Sequence, residues 1–447
     1  MHRTVVGWIA SLLVVSALAA GCSFRFGYDG TAYACGDGGS CPDGFHCVAS
    51  FCQPDDTVVP DAGSDGGAVA ACGALSLLHD DFDDGVVAPG WFAWNEPGTS
   101  VSEAGGQMTI HVDASTGSYA GSVSRRAFDL AGSSMAATVV QAGGEHTILE
   151  VRGPAEADPR AQIVAAASGM LEAVVLNTPA QLRTQIPYDP IAQRHWRLRE
   201  DAGTLYWETS PDGTAWTSFH DEPVPFATEH VLGSLAAGGN LPTAGDAVFD
   251  DVNLPAAAGA YCSTSRLVDA FGDAAIGPVW EPFADPQCQI LETGGVLELQ
   301  YPAAGGSAYC RLDSRHLYDL RGSSIAIEAV SMPSATDFES FFQVLSEDGR
   351  DQVFMSNSLD VLYMTVKRNG ATVAETSTVF DPVAHRFWRI REASGTLHWE
   401  TAPDGATWTE RASTATVIDV SAMIVQIAAG HWSATSAAQT VRFDRFN

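Results

Sequence analysis

Two stretches of the chain carry nearly the same sequence. Residues 194–217 read RHWRLREDAGTLYWETSPDGTAWT, and residues 386–409 read RFWRIREASGTLHWETAPDGATWT. Sixteen of the 24 aligned positions are identical, and no gap is needed to align them. Self-similarity at a fixed period indicates a duplicated structural unit. The chain is therefore expected to contain one domain twice.

The similarity extends well beyond these stretches and sets the domain boundaries. The offset between matched residues grows only from 189 to 194, so the two repeats differ by few insertions. We predict a first repeat over residues 72–255 and a second over 262–447. Matched pairs include Phe82 with Phe271, Trp91 with Trp280, and Phe249 with Phe443.

Each repeat has the pattern of an all-β domain. Segments such as GQMTIHVDA, HTILEVRG and MLEAVVLN alternate apolar and polar residues or are rich in β-branched ones, with Gly, Pro, Asn and Asp between them. Asn369-Gly370 predicts a tight hairpin turn, because both residues tolerate a positive φ. About 180 residues of short strands exceed an immunoglobulin domain and suit a jelly-roll sandwich.

The aromatic residues of the doubled stretch are expected to face the sandwich core. Large aromatics at alternate positions of adjoining strands usually point inward. A sugar-stacking platform is the alternative interpretation. The residues concerned are Trp196, Leu198, Leu205, Trp207 and Trp216.

The charged residues of the same stretch point the other way. Arg197 and Arg199 are expected to meet Glu208 across the hairpin as exposed pairs, which contribute only about 0–1 kcal/mol each. Residues 211–213, Pro-Asp-Gly, predict a turn.

The N-terminus predicts export and lipid anchoring. Residues 1–21 have the short basic start and apolar run of a signal peptide. The sequence LAAGC at 18–22 resembles a bacterial lipobox, although Leu18 lies one position further from the cysteine than usual. The resemblance implies acylation of Cys22. Ser23 lacks the acidic retention signal of inner-membrane lipoproteins, so an outer-membrane location is expected.

Four cysteines follow in a short segment, and a spacer follows them. Residues 22–52 resemble a small EGF-like or knottin-like module, too poor in apolar residues to fold without disulfides. Three connectivities are possible, and we favour the pairs Cys35–Cys47 and Cys41–Cys52. A zinc site is the alternative, but the spacing fits it poorly. Residues 53–71, rich in Pro, Gly, Asp and Ala, predict a flexible linker.

The last four cysteines predict two disulfides in the repeats. Cys288 and Cys310 occur only in the second repeat, where the first has Thr99 and Ala120. Their joint absence from one repeat is what a bonded pair would show. Cys72 and Cys262 precede the two repeats at similar distances, so a Cys72–Cys262 bond would close the base of the first repeat. An oxidising compartment allows all eight to pair.

Charge restricts the partners. The 447 residues carry a net charge of −31 at pH 7, which argues against nucleic acid and anionic membrane surfaces. The lipid anchor is the expected membrane contact. A glycan or a surface protein is the expected ligand.

Each repeat resembles the concanavalin A-like lectin/glucanase superfamily, including laminin G-like jelly rolls. The resemblance rests on an opening D-x-F motif at 80–82 and 269–271, the Trp-rich hairpins and a closing F-D strand. It implies a jelly-roll fold and, in glucanases, clustered carboxylates of the type E-x-D-x-E. Neither repeat contains that motif, and Glu208 and Asp212 make a poor acid–base pair because Asp212 lies in a turn. We therefore predict no catalytic residues and no enzyme activity.

The resemblance also implies a structural calcium ion where the first and last strands pair. Asp80 with Asp250, and Asp269 with Asp444, are the candidate ligands. The alternative is that these four aspartates are turn and edge residues. Calcium is the only cofactor that the sequence suggests.

Three functions remain open at this stage. The favoured one is a lipid-anchored surface protein that binds carbohydrate or another surface partner. The second is a structural envelope protein, and the third is a polysaccharide-active enzyme. A binding site is expected in the loops and concave faces where the repeats differ.

Overall fold

The computed structural model describes residues 72–114, 117–179, 181–256, 259–302, 306–333, 337–433 and 438–447, with the side chain of Leu182 excepted. It also describes the backbone of three short strands, β1 (Tyr33–Ala34), β2 (Phe45–Val48) and β3 (Phe51–Pro54), which form an antiparallel sheet in the order β1-β3-β2. The chain divides into two compact units, Met1–Gly66 and Gly67–Asn447. The predicted signal peptide, the predicted acylation site Cys22, the predicted linker, and the side chains of Cys35, Cys41, Cys47 and Cys52 lie outside the described residues. No helix of the described part is long and apolar enough to span a membrane.

The first repeat is a sandwich of two seven-stranded antiparallel sheets. Its strands are β4 (Trp91–Asn95), β5 (Thr99–Glu103), β6 (Met108–Val112), β7 (Ser118–Ser124), β8 (Ser134–Gln141), β9 (His146–Arg152), β10 (Arg160–Ala166), β11 (Met170–Leu176), β12 (Leu182–Pro187), β13 (His195–Asp201), β14 (Thr204–Ser210), β15 (Thr217–Pro223), β16 (Leu232–Gly239) and β17 (Gly245–Asp250). Sheet 1A has the order β12-β11-β10-β9-β16-β7-β4, and sheet 1B has the order β15-β14-β13-β8-β17-β6-β5.

The second repeat repeats this topology. Before the sandwich, β18 (Cys262–Ser263) pairs in parallel with β23 (Tyr318–Asp319) as a separate two-stranded sheet. Its strands are β19 (Trp280–Ala284), β20 (Gln289–Thr293), β21 (Val296–Tyr301), β22 (Ala308–Ser314), β23 (Tyr318–Asp319), β24 (Ser324–Ser331), β25 (Phe338–Leu345), β26 (Gln352–Ser358), β27 (Val361–Arg368), β28 (Ala371–Val379), β29 (Phe387–Ala393), β30 (Thr396–Ala402), β31 (Thr409–Ala415), β32 (Ile424–His431) and β33 (Gln439–Asp444). Sheet 2A has the order β28-β27-β26-β25-β32-β22-β19, and sheet 2B has the order β31-β30-β29-β24-β33-β21-β20.

The prediction of an all-β fold with two antiparallel sandwiches is confirmed. Besides strands, the elements of the fully described part are two short 3-10 turns, at Leu75–Leu77 and Thr264–Arg266. Each sandwich buries its own apolar core between its two sheets, supplied by every second residue of the strands. The predicted hairpin turn is also present, since Asn369 and Gly370 have φ values of 51° and 79° between β27 and β28.

The doubled stretch forms the hairpins β13–β14 and β29–β30, and four of its five predicted core residues are in the core. Trp196, Leu198, Leu205 and Trp207 are fully buried. The prediction is wrong for Trp216, which is only partly buried and lies 4.2 Å from the Arg197 guanidinium, outside the core.

The Arg–Glu pairs of the doubled stretch form as predicted, but they are not exposed. Arg197 Nε lies 2.6 Å from Glu208 Oε2, and Arg199 Nη2 lies 3.2 Å from Glu208 Oε1. The Glu208 side chain is only 7% exposed. Two guanidinium groups thus cover one buried carboxylate on the outer face of sheet 1B.

Both disulfides predicted within the repeats are formed. Cys72 is bonded to Cys262, with Cα atoms 4.7 Å apart, and Cys288 is bonded to Cys310. The Gly73 amide donates to the Ala260 carbonyl at 3.0 Å, so the two ends of the first repeat lie side by side.

Matching segments of the two repeats contact each other. Residues 124–128 follow β7, and residues 314–318 are their counterparts after β22. The Ala127 amide donates to the Arg315 carbonyl at 2.8 Å. Arg126 Nη1 donates to the Ser314 carbonyl at 3.0 Å. His316, the counterpart of Arg126, has its Nε2 at 2.8 Å from His230 Nδ1 of the first repeat.

Candidate functional site

An open groove of about 700 Å³ runs across the outer face of sheet 1A, on the side away from the core. A cavity of this size falls in the usual range for small-molecule sites. Aromatic and charged side chains share its lining. Those that matter most are Phe92, Trp94, Tyr119, Glu150, Arg160 and Gln162.

Strand alternation places the groove residues. On β9, Leu149 and Val151 are fully buried in the core, so Glu150 between them points outward. The antiparallel register sets Glu150 opposite Gln162 on β10 and opposite Ser234 on β16. The middle of the groove is therefore polar and is carried by three central strands.

One side of the groove is aromatic. Phe92 and Trp94 lie on the edge strand β4, and Phe92 is 49% exposed. Trp94 is opposite Gly121 on β7, where a Cβ would meet the Leu235 carbonyl oxygen at 2.5 Å. Because Gly121 has no side chain, the groove is deeper beside the Trp94 indole. Tyr119, on the same strand β7, completes this wall; burial raises the pKa of its hydroxyl.

The centre of the groove is a buried carboxylate with three nitrogen neighbours. Gln162 Nε2 donates to Glu150 Oε2 at 2.5 Å. Arg152 Nε lies 3.5 Å from Glu150 Oε1, and Arg160 Nη1 lies 3.7 Å from Glu150 Oε2. The Glu150 side chain is 9% exposed, whereas the two arginines are 20% and 21% exposed. Two guanidinium groups therefore share one carboxylate.

A second carboxylate lies on the same face of the sheet. Glu172 on β11 accepts from Gln185 Nε2 at 2.6 Å and pairs with Arg183 Nε at 3.2 Å. Glu172 is opposite Val164, whereas Glu150 is opposite Gln162. The two glutamates are thus two strands and two residues apart, which puts their Cα atoms on the order of 12 Å from each other. Donors and acceptors on four strands therefore lie on this outer face of the sheet.

The matching face of the second repeat is filled by its own side chains. The shared topology makes Phe341 the counterpart of Ile148, Gln343 of Glu150, and Phe354 of Gln162. Phe341 and Phe354 pack edge to face with centroids 6.2 Å apart.

Side-chain hydrogen bonds cover the rest of this outer face of sheet 2A. Gln343 donates to Gln426, and Gln426 Nε2 donates to Asp313 Oδ1 at 2.7 Å. The two repeats therefore share a fold but differ at this surface.

The aspartates of the two predicted calcium sites make local contacts. Asp80 Oδ1 accepts from the Phe82 amide at 2.9 Å, and Asp269 Oδ2 accepts from Trp280 Nε1 at 2.8 Å. Asp444 Oδ1 accepts from the Arg445 amide, and the charges nearest Asp250 are Asp251 and Asp83. Among the described residues, no group of three or more His, Cys, Asp or Glu is arranged to hold a metal ion. Calcium binding at these four aspartates therefore stays a prediction.

A carboxylate cluster that the sequence did not reveal lies beside two of these aspartates. Burial, followed by the charges of Asp80, Asp84 and Asp81, raises the pKa of Glu103 to about 7. Its counterpart Glu292 is also buried, and burial likewise raises its pKa. Both repeats therefore have, at this position, an acidic residue whose pKa is raised.

Several solved structures with a similar arrangement of strands have names that refer to glycan-degrading proteins. A lichenase from a mouse hindgut metagenome is 11% identical, with 40% of this chain and 95% of that one covered and a TM-score of 0.33. The Bacillus licheniformis β-glucanase is 8% identical over 40% and 95%, with a TM-score of 0.32. The Bacteroides ovatus xyloglucan PUL protein GH43B is 9% identical over 80% and 100%, also with a TM-score of 0.32. At these identities the likeness is one of fold.

No protein-family model and no curated protein matches the chain.

The prediction that the chain is not an enzyme is contradicted by these comparisons and is withdrawn. The matched structures include, by name, a lichenase and a β-glucanase, so the absence of enzyme activity is not kept as a prediction. The absence of E-x-D-x-E was too narrow a criterion, because carboxylates on separate strands can also meet across a groove.

The groove lies on a face where the repeats differ, yet none of its residues stood out in the sequence. A usable signal was present: HTILEVRG places Glu150 and Arg152 at outward positions, whereas the matching segment of the second repeat, FFQVLSE, has Gln343 and Leu345. A comparison of the outward residues alone would have found the site.

Proposed function

We propose that the groove of the first repeat binds a carbohydrate chain. The observation that carries the proposal is the combination of an aromatic wall with a hydrogen-bonding centre. Phe92 and Trp94 offer apolar ring faces, on which the C–H faces of sugar rings stack. Glu150, Gln162 and Arg152 offer acceptors and donors to hydroxyl groups.

The size and openness of the groove favour a chain over a small molecule. A volume of about 700 Å³ on an open sheet face accommodates several sugar rings in a row. The second repeat presents filled aromatic and glutamine pairs at the matching place. The proposal therefore assigns binding to the first repeat, with the second acting as a structural partner.

The test compares two matched variants on a panel of polysaccharides, by affinity electrophoresis and then calorimetry. Trp94→Ala removes the indole from the groove, and Phe283→Ala removes its counterpart on β19. We expect Trp94→Ala to weaken binding at least tenfold, which is about 1.4 kcal/mol, and Phe283→Ala to leave it unchanged. Failure of every polysaccharide to bind would favour a purely structural role, and equal losses in both variants would contradict the assignment of binding to the groove of the first repeat.

Cleavage of the bound glycan is the second candidate function. The specific observation is that two buried carboxylates, Glu150 and Glu172, lie on the groove face. Polysaccharides that bind are incubated with the protein, and new reducing ends are measured. Glu150→Gln and Glu172→Gln should lower release by a much larger factor than they weaken binding, because a glutamine side chain keeps an acceptor for hydroxyl groups but cannot act as acid or base. Release that survives both substitutions would exclude these carboxylates as the acid and base.

We also propose that the chain is a lipid-anchored protein of the outer membrane. The lipobox-like sequence before Cys22 supports this location. Two or more acyl chains give stable membrane attachment, whereas one gives only marginal binding. Cys22→Ser should move the protein from the membrane fraction to the soluble fraction, and a variant that stays in the membrane fraction would contradict the proposal.

A further inference from the structure

We infer that the glycan bound in this groove is acidic, with a hexuronate carboxylate seated between Arg152 and Arg160. This inference rests on the proposed function and specifies its ligand. It comes from an excess of positive charge at the centre of the groove, in a protein whose net charge is −31.

The local charge does not balance. Arg152 and Arg160 flank the single carboxylate of Glu150, at 3.5 Å and 3.7 Å. The neighbouring Arg183 is already paired with Glu172 at 3.2 Å. Two positive charges therefore meet one negative charge within the half-buried part of the groove. A carboxylate of the ligand would supply the second negative charge.

The hydrogen-bonding capacity of these arginines is also largely unused. A guanidinium has five N–H donors in a planar fork that matches a carboxylate. Arg152 donates no hydrogen bond to a described residue beyond its ion-pair contact. Arg160 donates Nη2 to the Glu156 carbonyl at 2.5 Å, and its buried Nε has no partner among the described residues. A buried donor without a partner destabilises the site, so an acceptor bound within reach of this guanidinium would be favoured.

Other carboxylates at the groove do not compensate this excess. Glu96 accepts from the Tyr119 amide at 2.8 Å, and Glu145 accepts from the Leu241 amide at 2.8 Å. Both hold loops at the aromatic end. Glu156 is exposed at the rim, where water solvates its charge.

The second repeat shows that the fold does not need these charges. Its residues at the matching positions are Gln343, Leu345 and Gln352, and β25 pairs with β26 in the same register as β9 with β10. An arginine pair that is dispensable for the sheet, and that lies in the open groove only, is a feature of ligand recognition.

The experiment titrates the full chain by calorimetry with three oligosaccharides of equal length. The first is an oligogalacturonate, the second is the same oligomer with its carboxyl groups reduced, and the third is a sulfated oligosaccharide. We expect the oligogalacturonate to bind at least tenfold more tightly than its reduced form, which is about 1.4 kcal/mol.

The matched variant carries the residues of the second repeat, Glu150→Gln, Arg152→Leu and Arg160→Gln. Because that repeat folds with these residues, the variant should unfold at nearly the wild-type temperature. It should bind the acidic and the reduced oligomers equally.

The outcomes separate the inference from the proposed function. If neutral and acidic oligomers bind wild type equally, and Trp94→Ala weakens both, the acidic ligand is refuted and glycan binding stands. Tighter binding of the sulfated oligomer would overturn the carboxylate assignment. If no oligomer and no polysaccharide binds, both are refuted.

Discussion

The indole of Trp207 ties the groove to the core, which makes Trp207→Phe an informative perturbation. Trp207 is fully buried on β14, and its Nε1 donates across the sandwich to the Gln162 backbone carbonyl at 2.8 Å. The same Gln162 donates through its side chain to Glu150 in the groove. A change on one sheet should therefore affect both stability and the ligand surface on the other.

The expected loss of stability has two parts. Removing one partner of a buried hydrogen bond costs about 1–3 kcal/mol. Replacing indole by phenyl leaves roughly 40 Å³ empty, which at about 24 cal/mol per Å³ costs about 1 kcal/mol more. The free energy of unfolding should fall by about 2–4 kcal/mol. Urea denaturation measures it, with an unchanged m-value as the sign that the unfolding reaction is the same.

The second repeat supplies the control. Trp399 is nearly fully buried, and its Nε1 donates to the Phe354 carbonyl at 3.0 Å, in the same geometry. Trp399→Phe should cost a similar free energy but leave glycan binding unchanged, whereas Trp207→Phe should weaken it. A loss below about 0.5 kcal/mol for Trp207→Phe would refute the energetic reasoning, because surface substitutions alone vary that much. Equal effects of the two variants on binding would refute the coupling to the groove.

Three further predictions concern stability and pH. Replacing Cys288 and Cys310 by Ser opens a loop with a sequence separation of 22 residues, and calorimetry should show a loss of about 3 kcal/mol in the second repeat only. Burial and the neighbouring histidine lower the pKa of His316 to about 4. Its contribution to stability is therefore present above pH 6.5 and is lost as the pH falls towards 4. His316→Gln should flatten the rise of stability with pH between 4 and 6.5, and an unchanged slope would contradict this prediction. Burial and nearby carboxylates raise the pKa of Glu103 to about 7. Its contribution to stability is therefore present below pH 4.5 and is lost as the pH rises through 7. In denaturant melts, the free energy of unfolding of Glu103→Gln should equal that of wild type at pH 4.5 and exceed it at pH 8.

Much of the fold could be predicted because the duplication restricts it. Two sequences that diverge yet keep Trp207 and Trp399 at the same strand parity must bury the same face, and both indoles are in the core. The φ values of Asn369 and Gly370 follow from local sterics alone. Such features depend on neighbouring residues, which the sequence shows directly.

The prediction for Trp216 is wrong because strand alternation does not continue across a turn or a bulge. The sequence predicts Trp216 as a core residue by alternation along adjoining strands, but Trp216 lies between β14 and β15, after a turn, and a bulge shifts the register of this strand pair between Trp207 and Glu208. Beyond those points alternation no longer fixes which side of the sheet a residue faces. Trp216 therefore lies over Arg197 on the outer face, and Trp408 lies over Arg389 in the same way, at 4.1 Å.

The groove was missed for a different reason. Alternation says that Glu150 points away from the core, but it cannot say whether solvent or neighbouring side chains lie above it. That depends on residues far away in sequence, such as Trp94 on the edge strand and the absent side chain of Gly121. Only the assembled sheet brings them to one surface.

The duplication also argues for where function lies. A shared core and shared topology show that both repeats meet the same demands of folding, so residues that differ at equivalent outward positions are free of those demands. In the second repeat these positions hold Phe341 and Phe354, which pack on each other, and Gln343, which donates to Gln426. In the first repeat Glu150 and its two arginines leave charge and donors unmatched. A protein that needed only a second stable sandwich would lose nothing by filling this groove as well, so the open, unbalanced surface is where a ligand is expected to act.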